Sequence, residues 1–158
     1  MAADAPEPLR QRLATQLDSL GFVLAGADEE AIRRRPAPGK WSALENLAHL
    51  ARHHELFLER IERIASEDAP ALPRYRAEDD PEWPQWAGLP SEEVLMLLRA
   101  LRKELLGRFD LLTPAELARV GVHSRFGPLS LRDWTHFFLI HEAHHLYVAM
   151  TLVRSVGR

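Results

Sequence analysis

The sequence predicts an all-α fold, a bundle of four long amphipathic helices. Apolar residues recur at helical spacing in four segments, and proline and glycine interrupt the chain between these segments. No segment shows the alternation of apolar and polar residues that is typical of a half-buried β-strand. A chain of 158 residues can bury one sizeable core, so we expect a single domain spanning residues 1–158.

The first helix is predicted from about residue 7 to residue 25, because leucines between Leu9 and Leu24 recur at spacings of four, four, three and four. Residues 32–40 contain two prolines and a glycine, so they cannot continue a helix. The second helix is predicted from Ser42 to about residue 65. Ser42 is a typical N-cap, and Glu45 three residues later completes a capping-box pattern.

A long connection, residues 66–90, separates helix two from helix three. It is rich in proline, aspartate and glutamate and lacks a sustained period. Trp83 and Trp86 argue against plain disorder, so we expect part of the connection to pack on the bundle. Helix three follows, with Ser91 as its start signal and apolar residues at helical spacing as far as Phe109.

The last part of the chain contains one short and one long helix. Thr113 and Pro114 have the pattern of a helix start, but Gly121 and the break at residues 126–128 limit that element to a turn or two. The fourth long helix is predicted from about Ser130 to residue 153.

Composition excludes several classes of function. The net charge of −3, from 20 basic and 23 acidic residues, gives no long-range attraction for nucleic acid. The chain has no cysteine, so a metal must be held by imidazole and carboxylate groups, and a reducing cytoplasm is the expected location. We expect no export, because the amino terminus lacks a basic and then hydrophobic signal. We expect no membrane span, because the apolar runs are too short.

Six of the eight histidines fall in two clusters on predicted helices, at residues 49–54 and 141–145. At about 100° per residue, His141 and His145 differ by roughly 40° and share one helix face. Trp134 and Phe138 lie on the same stripe, which places the pair in the apolar seam. Two interpretations remain open from the spacing alone: hydrogen-bonded core histidines, or chelation of a single ion.

His49 is the candidate third ligand, from the flank of helix two that also carries Asn46 and His53. This position would place an ion at the edge of the bundle, with vacant coordination positions for water or substrate. The other histidines are expected to be surface residues or residues that support the ligands; they are His54, His123, His136 and His144.

Two blocks of the sequence resemble the DinB/YfiT-like superfamily. They are PGKWSALENLAHL at residues 38–50, and GPLSLRDW at residues 127–134 followed by HEAHH at residues 141–145. The resemblance covers roughly residues 9–153. It implies a four-helix bundle with a long crossover connection between helices two and three. It also implies a metal triad of His49, His141 and His145.

The resemblance implies a metal-dependent enzyme acting on a small molecule. Some members are S-transferases or isomerases that use small thiols such as bacillithiol, mycothiol or glutathione, and a divalent ion would lower the pKa of a coordinated thiol or water. We therefore expect thiol transfer or hydrolysis, with one zinc or nickel ion and with iron or manganese as alternatives. The resemblance and the apolar content of helices one and three also predict a homodimer.

Two alternatives stay open. The pattern His141-Glu142-Ala143-His144-His145 matches the HExxH motif of zinc peptidases, in which the glutamate is the general base, so Glu142 is a candidate catalytic residue. However, the 13 residues after His145 contain no further His, Asp or Glu ligand. The second alternative is a metal-binding stress-response or interaction module without turnover.

Overall fold

The computed structural model describes residues 7–155 and confirms a mainly helical fold. The helices are α1 (Glu7–Thr15), α2 (Leu20–Val23), α3 (Glu29–Arg33), α4 (Ala43–Ser66), α5 (Trp83–Ala87), α6 (Ser91–Asp110), α7 (Pro114–Leu117) and α8 (Leu131–Ser155). The strands are β1 (Ala71–Leu72), β2 (Val120–His123) and β3 (Gly127–Ser130). Within the described part of the chain, no helix is long and apolar enough to span a lipid bilayer.

The first predicted helix is interrupted in the structure. After α1 the chain tightens into a 3-10 turn at Gln16–Ser19, and α2 then continues. Arg102 Nη1 donates to the Leu13 carbonyl oxygen at 2.7 Å. That carbonyl would accept the Leu17 N–H in an unbroken α-helix. A distant side chain therefore competes for a backbone group, which the leucine spacing could not reveal.

The second helix begins as predicted. Ser42 Oγ accepts from the Glu45 N–H at 3.1 Å, and the Glu45 carboxylate accepts from the Ser42 N–H at 2.8 Å. This capping box satisfies two backbone N–H groups that have no partner within the helix. It fixes the start of the 24-residue helix α4, which carries His49, His53 and His54.

The third helix also begins at the predicted residue, but by a different interaction. Pro90 occupies the N-cap position, and Ser91 Oγ donates to Glu29 Oε2 at 2.6 Å instead of capping α6. This bond joins the start of α6 to α3. In the connection before α6, Trp83 and Trp86 pack against the bundle, as predicted.

The sequence pattern does not predict the three-stranded sheet. β1 pairs parallel with β2, with Ala71 opposite Val122, and β2 pairs antiparallel with β3, with Val122 opposite Pro128. β1 has only two residues, and β3 begins with Gly127 and Pro128, so neither strand carries an alternating apolar pattern. The sheet attaches the long connection to the hairpin that precedes α8.

Residues 7–155 form two apolar core clusters. The first includes Leu13, Phe57, Leu105 and Leu139, and the second includes Leu17, Ala51, Leu98 and Leu146. Along the four long helical segments, four polar residues stand between members of the two clusters. These residues, which we call the central polar layer, are Gln16, His54, Arg102 and Glu142.

The members of the central polar layer bind one another. Arg102 forms an ion pair with Glu142, and Arg102 Nε donates to His54 Nε2 at 3.1 Å. Gln16 Nε2 donates to the other carboxylate oxygen of Glu142 at 2.9 Å. Arg102 and Glu142 are both buried, so each charge depends on these partners.

Gly121 marks a close approach of β2 to α4. A Cβ atom at this position would lie 2.8 Å from Leu72 Cδ1 and 2.9 Å from Ile64 Cγ1, and both side chains are buried. We expect Gly121→Ala to lower the free energy of unfolding by about 1–3 kcal/mol, measured by urea denaturation. Gly107→Ala on α6 is the matched control, because its position is open and alanine should stabilise the helix by about 0.5–1 kcal/mol. Equal effects of the two substitutions would contradict the tight packing of β2.

Candidate metal centre

The structure brings together the three histidines that were predicted to bind a metal. α4 carries His49, and α8 carries His141 and His145 one helical turn apart. One ring nitrogen from each residue lies within 4.8 Å of the other two. His49 Nε2 and His141 Nε2 are 3.1 Å apart. The four-residue spacing on α8 therefore does place two imidazoles beside the one from α4.

This geometry fits a divalent ion. Two nitrogen ligands on a tetrahedral zinc ion, with bonds of about 2.0–2.1 Å, lie roughly 3.3 Å apart. Without an ion, a single proton can link the Nε2 atoms of His49 and His141. The buried Nδ1 atoms of both rings have no hydrogen-bond partner among the described residues. The protein groups alone therefore leave this histidine pair incompletely satisfied.

Asn46 fixes the tautomer of His145. Asn46 Nδ2 donates to the Ser42 carbonyl oxygen at 2.8 Å, which leaves the amide oxygen facing His145. The distance from His145 Nδ1 to Asn46 Oδ1 is 2.8 Å, so Nδ1 carries the proton and donates. The lone pair of His145 Nε2 is then available for a metal, as in sites where a second hydrogen bond orients the ligand.

The three imidazoles are held in their neutral form. Burial lowers the pKa of His49 to about 3, that of His141 to about 2 and that of His145 to about 4. Neighbouring histidines contribute to each of these shifts after burial, because two imidazolium charges repel at this distance. A metal binds the neutral ring, so the pocket favours the protonation state that ligation requires.

His53 lies beside the triad. Its ring centroid is 4.2 Å from that of His141, and its buried Nδ1 has no hydrogen-bond partner in the described chain. Burial holds the pKa of His53 well below its usual value. His53 does not belong to the group whose ring nitrogens converge, so the three-histidine set does not include it.

A cleft of about 900 Å³ opens above the three imidazoles. Trp41 and Tyr75 line it and contact His49, with ring centroids at 5.0 and 5.6 Å. Trp83 lies edge-on to His49 at 6.2 Å, so the connection does contribute to the surroundings of the site. Tyr75 was not predicted as a site residue, because it lies in the irregular connection, where no pattern relates it to α4.

Glu142 does not meet the triad. Its side chain is fully buried, and its two carboxylate oxygens accept from Arg102 and Gln16 in the central polar layer. Glu142 is absent from the residues that line the cleft. Its catalytic role remains an untested prediction, and these contacts favour a structural role.

The prediction for His54 was wrong, because His54 is neither a surface residue nor a partner of the triad. It is fully buried, its Nδ1 is 2.7 Å from the Leu50 carbonyl oxygen, and its Nε2 accepts from Arg102. His123 is also buried, whereas His144 is exposed. Both residues line the cleft. Their positions depend on long-range packing, which helical spacing does not encode.

A family model described as the DinB superfamily matches residues 10–149 of the chain. A relative from Oceanobacillus iheyensis, whose name suggests a metal-dependent hydrolase, is 28% identical over 110 residues. That match covers 68% of this chain and 62% of the relative, which is less than two thirds of the relative's length.

Two solved structures share the fold. YfiT from Bacillus subtilis, whose description suggests a metal-dependent hydrolase with an unusual four-helix bundle topology, gives a TM-score of 0.80 at 18% identity. The match covers 99% of this chain and 90% of YfiT. The DinB-like protein YjoA from B. subtilis gives a TM-score of 0.61 at 16% identity, covering 96% of this chain and 94% of YjoA. These similarities confirm the predicted four-helix bundle.

The neutral state of His54 predicts a loss of stability in acid. Burial, and then the charge of Arg102, lower the pKa of His54 to about 3, whereas an unfolded chain titrates near 6.5. Protons therefore favour the unfolded state as the pH falls below about 6.5. Proton uptake by His54 in the unfolded chain should lower the free energy of unfolding by about 2 kcal/mol at pH 5, relative to high pH.

The measurement is urea denaturation of metal-free protein at pH 7.5 and at pH 5. Glutamine in His54→Gln keeps an acceptor for Arg102 but does not titrate. The free energy of unfolding of this variant should therefore fall by about 2 kcal/mol less than that of the wild type between pH 7.5 and pH 5. Equal losses in the two proteins would show that His54 is not the acid-sensitive group.

Proposed function

This chain belongs to the DinB superfamily, and on that premise we propose that it is a metal-dependent hydrolase whose ion is held by His49, His141 and His145. One observation carries the proposal: three neutral imidazoles from two helices converge, with ring nitrogens within 4.8 Å of one another, in an open cleft. We expect zinc or nickel, with iron or manganese as alternatives, because imidazole ligands suit several of these ions.

The proposed reaction depends on the ion and on residues that orient its ligands and line the cleft. A divalent ion held by the three histidines would lower the pKa of a water molecule that binds to it. Asn46 orients His145 through its hydrogen bond to Nδ1. Trp41 and Tyr75 contact the ring of His49 and restrict the approach to the triad. The Tyr75 hydroxyl donates to Asp80 Oδ2 at 2.8 Å, so it is committed as a donor.

The relatives support hydrolysis as the reaction class. The names of the O. iheyensis relative and of YfiT both suggest metal-dependent hydrolysis, and we extend that activity to this chain. Transfer of a small thiol to an electrophile is the second candidate. The chain has no cysteine of its own, and the cleft of about 900 Å³ could hold both a thiol cosubstrate and an acceptor.

Three other ideas have less support. A peptidase of the HExxH class needs its glutamate at the ion, whereas Glu142 is buried in an ion pair with Arg102. A non-catalytic metal-binding module is disfavoured by the open cleft, since structural metal sites are closed by a fourth ligand. The homodimer stays a prediction. Some of the apolar side chains of α6 on which it was based, including Leu95 and Leu101, are partly buried against the chain's own core.

We predict one divalent ion per chain, measured by elemental analysis of protein purified without an affinity tag. His145→Ala should reduce the bound metal to a small fraction of one equivalent, because two ligands cannot hold the ion. Asn46→Ala should weaken metal affinity by about 10–100-fold, because it removes the hydrogen bond that orients His145. His136→Ala, on the same helix but outside the cleft, is the control and should retain the ion. Full metal content in His145→Ala would refute the triad.

Turnover should depend on the metal. Chelation should abolish hydrolysis of small esters or amides, or thiol transfer to small electrophiles, and added zinc should restore it. We expect Glu142→Gln to lose stability but to retain its rate within about tenfold, because this carboxylate does not reach the triad. A loss of about a hundredfold with the ion retained would instead make Glu142 an acid or base. If a broad screen finds no metal-dependent turnover in metal-loaded protein, the non-catalytic alternative is correct.

A further inference from the structure

One side of the cleft above the triad is rich in arginine. Arg60 from α4, Arg74 and Arg76 from the connection and Arg125 from the β2–β3 turn all line it. Glu78 is the only carboxylate-bearing residue in the described lining. The cleft is therefore strongly positive, although the whole chain has a net charge of −3.

Among the described residues, most of these guanidinium groups have no carboxylate within ion-pair distance. Arg76 has Asp79 Oδ2 at 3.6 Å and Glu78 Oε2 at 3.9 Å. Within residues 7–155, no carboxylate oxygen lies within 4.0 Å of Arg60, Arg74 or Arg125, in contrast to the many arginines of this chain that form ion pairs. We call these three unpaired residues the arginine wall.

Arg60 is held in place without an anion. Its Nη2 donates to the Pro73 carbonyl oxygen at 2.9 Å, and its guanidinium lies 5.2 Å from the ring centroid of Trp134. The side chain is partly buried; burial lowers the pKa of Arg60, and the charge of Glu59 raises it by less. A guanidinium fixed in a partly dry position gains more from an anion than a freely solvated one.

His123 adds a neutral donor beside the arginine wall. The backbone N–H groups of Arg125 and Phe126 donate to His123 Nδ1 at 2.9 and 3.1 Å. In the neutral ring the proton is therefore on Nε2, which is a donor. Burial lowers the pKa of His123, as do the charges of Arg60, Arg125 and Arg74, in that order. All three guanidinium groups line the same cleft as this ring.

We propose that the arginine wall and His123 bind a carboxylate or phosphate group of the small molecule that reacts at the triad. This proposal rests on the proposed function and specifies its substrate as an anion with a separate reactive bond. Guanidinium groups form paired hydrogen bonds with such oxyanions. Arg60 and His123 line the same cleft as the three triad histidines, so one small molecule can contact both sides of the cleft. The cleft of about 900 Å³ is suited to such a ligand.

The test measures binding of succinate and of inorganic phosphate by calorimetry, with zinc-loaded wild-type protein and with metal-free protein. Succinamide is the uncharged control for succinate. We expect at least one anion to bind both forms of the protein and succinamide to bind neither. Arg60→Met should weaken anion binding by about tenfold or more, because it removes a charged hydrogen-bond donor. Arg125→Met should also weaken anion binding. Arg125 lies in an exposed turn, so this variant still tests the proposal if Arg60→Met does not fold.

Arg99→Met is the matched control, because Arg99 is exposed on α6 and lies outside the cleft lining. It should bind the anions as the wild type does. Absence of anion binding, or equal binding by wild type, Arg60→Met and Arg125→Met, would overturn the proposal. Zinc content measured on the same samples separates the two hypotheses. Zinc binding without arginine-dependent anion binding refutes the arginine wall alone, and the reverse result refutes the metal centre alone.

Discussion

The buried ion pair between Arg102 and Glu142 is the interaction on which the arrangement of the bundle depends. Removing one partner of such a pair leaves an uncompensated charge in the interior, at a cost of about 3–5 kcal/mol. Arg102 belongs to α6 and Glu142 to α8, while His54 from α4 and Gln16 after α1 complete the set. All four long segments therefore contribute to one polar layer, and their positions along the bundle axis are coupled.

The same layer determines where the imidazoles meet. His53 precedes His54 on α4, and His141 precedes Glu142 on α8, so the register that satisfies the polar layer also brings the neighbouring rings together. A shift of α8 by one turn would break the Arg102 ion pair and would separate His141 from His49. The central polar layer holds the helices in this register. The histidines can therefore remain neutral and incompletely hydrogen-bonded.

Local patterns in the sequence were sufficient for the long helices α4, α6 and α8 and for placing the three converging histidines on two of them. The capping box at Ser42 and the spacing of His141 and His145 depend only on nearby residues, and both were found in the structure. The features that were missed depend on contacts between distant segments. His54 could not be recognised as a core residue, because its partner Arg102 is 48 positions away. The positions of Tyr75 and His123 follow from the packing of the connection and the hairpin, which carry no periodic signal.

The sheet has a consequence for how such a protein can change over evolutionary time. β1 and β2 join the connection to the hairpin, and these segments carry Arg74, Tyr75, His123 and Arg125. The three histidines stand on the long helices, where substitutions would also disturb the core. Mutations in the sheet and its turns can therefore change the lining of the cleft after gene duplication while the three histidines are inherited unchanged. Such a division allows one ancestral scaffold to give rise to descendants with different chemical specialisations.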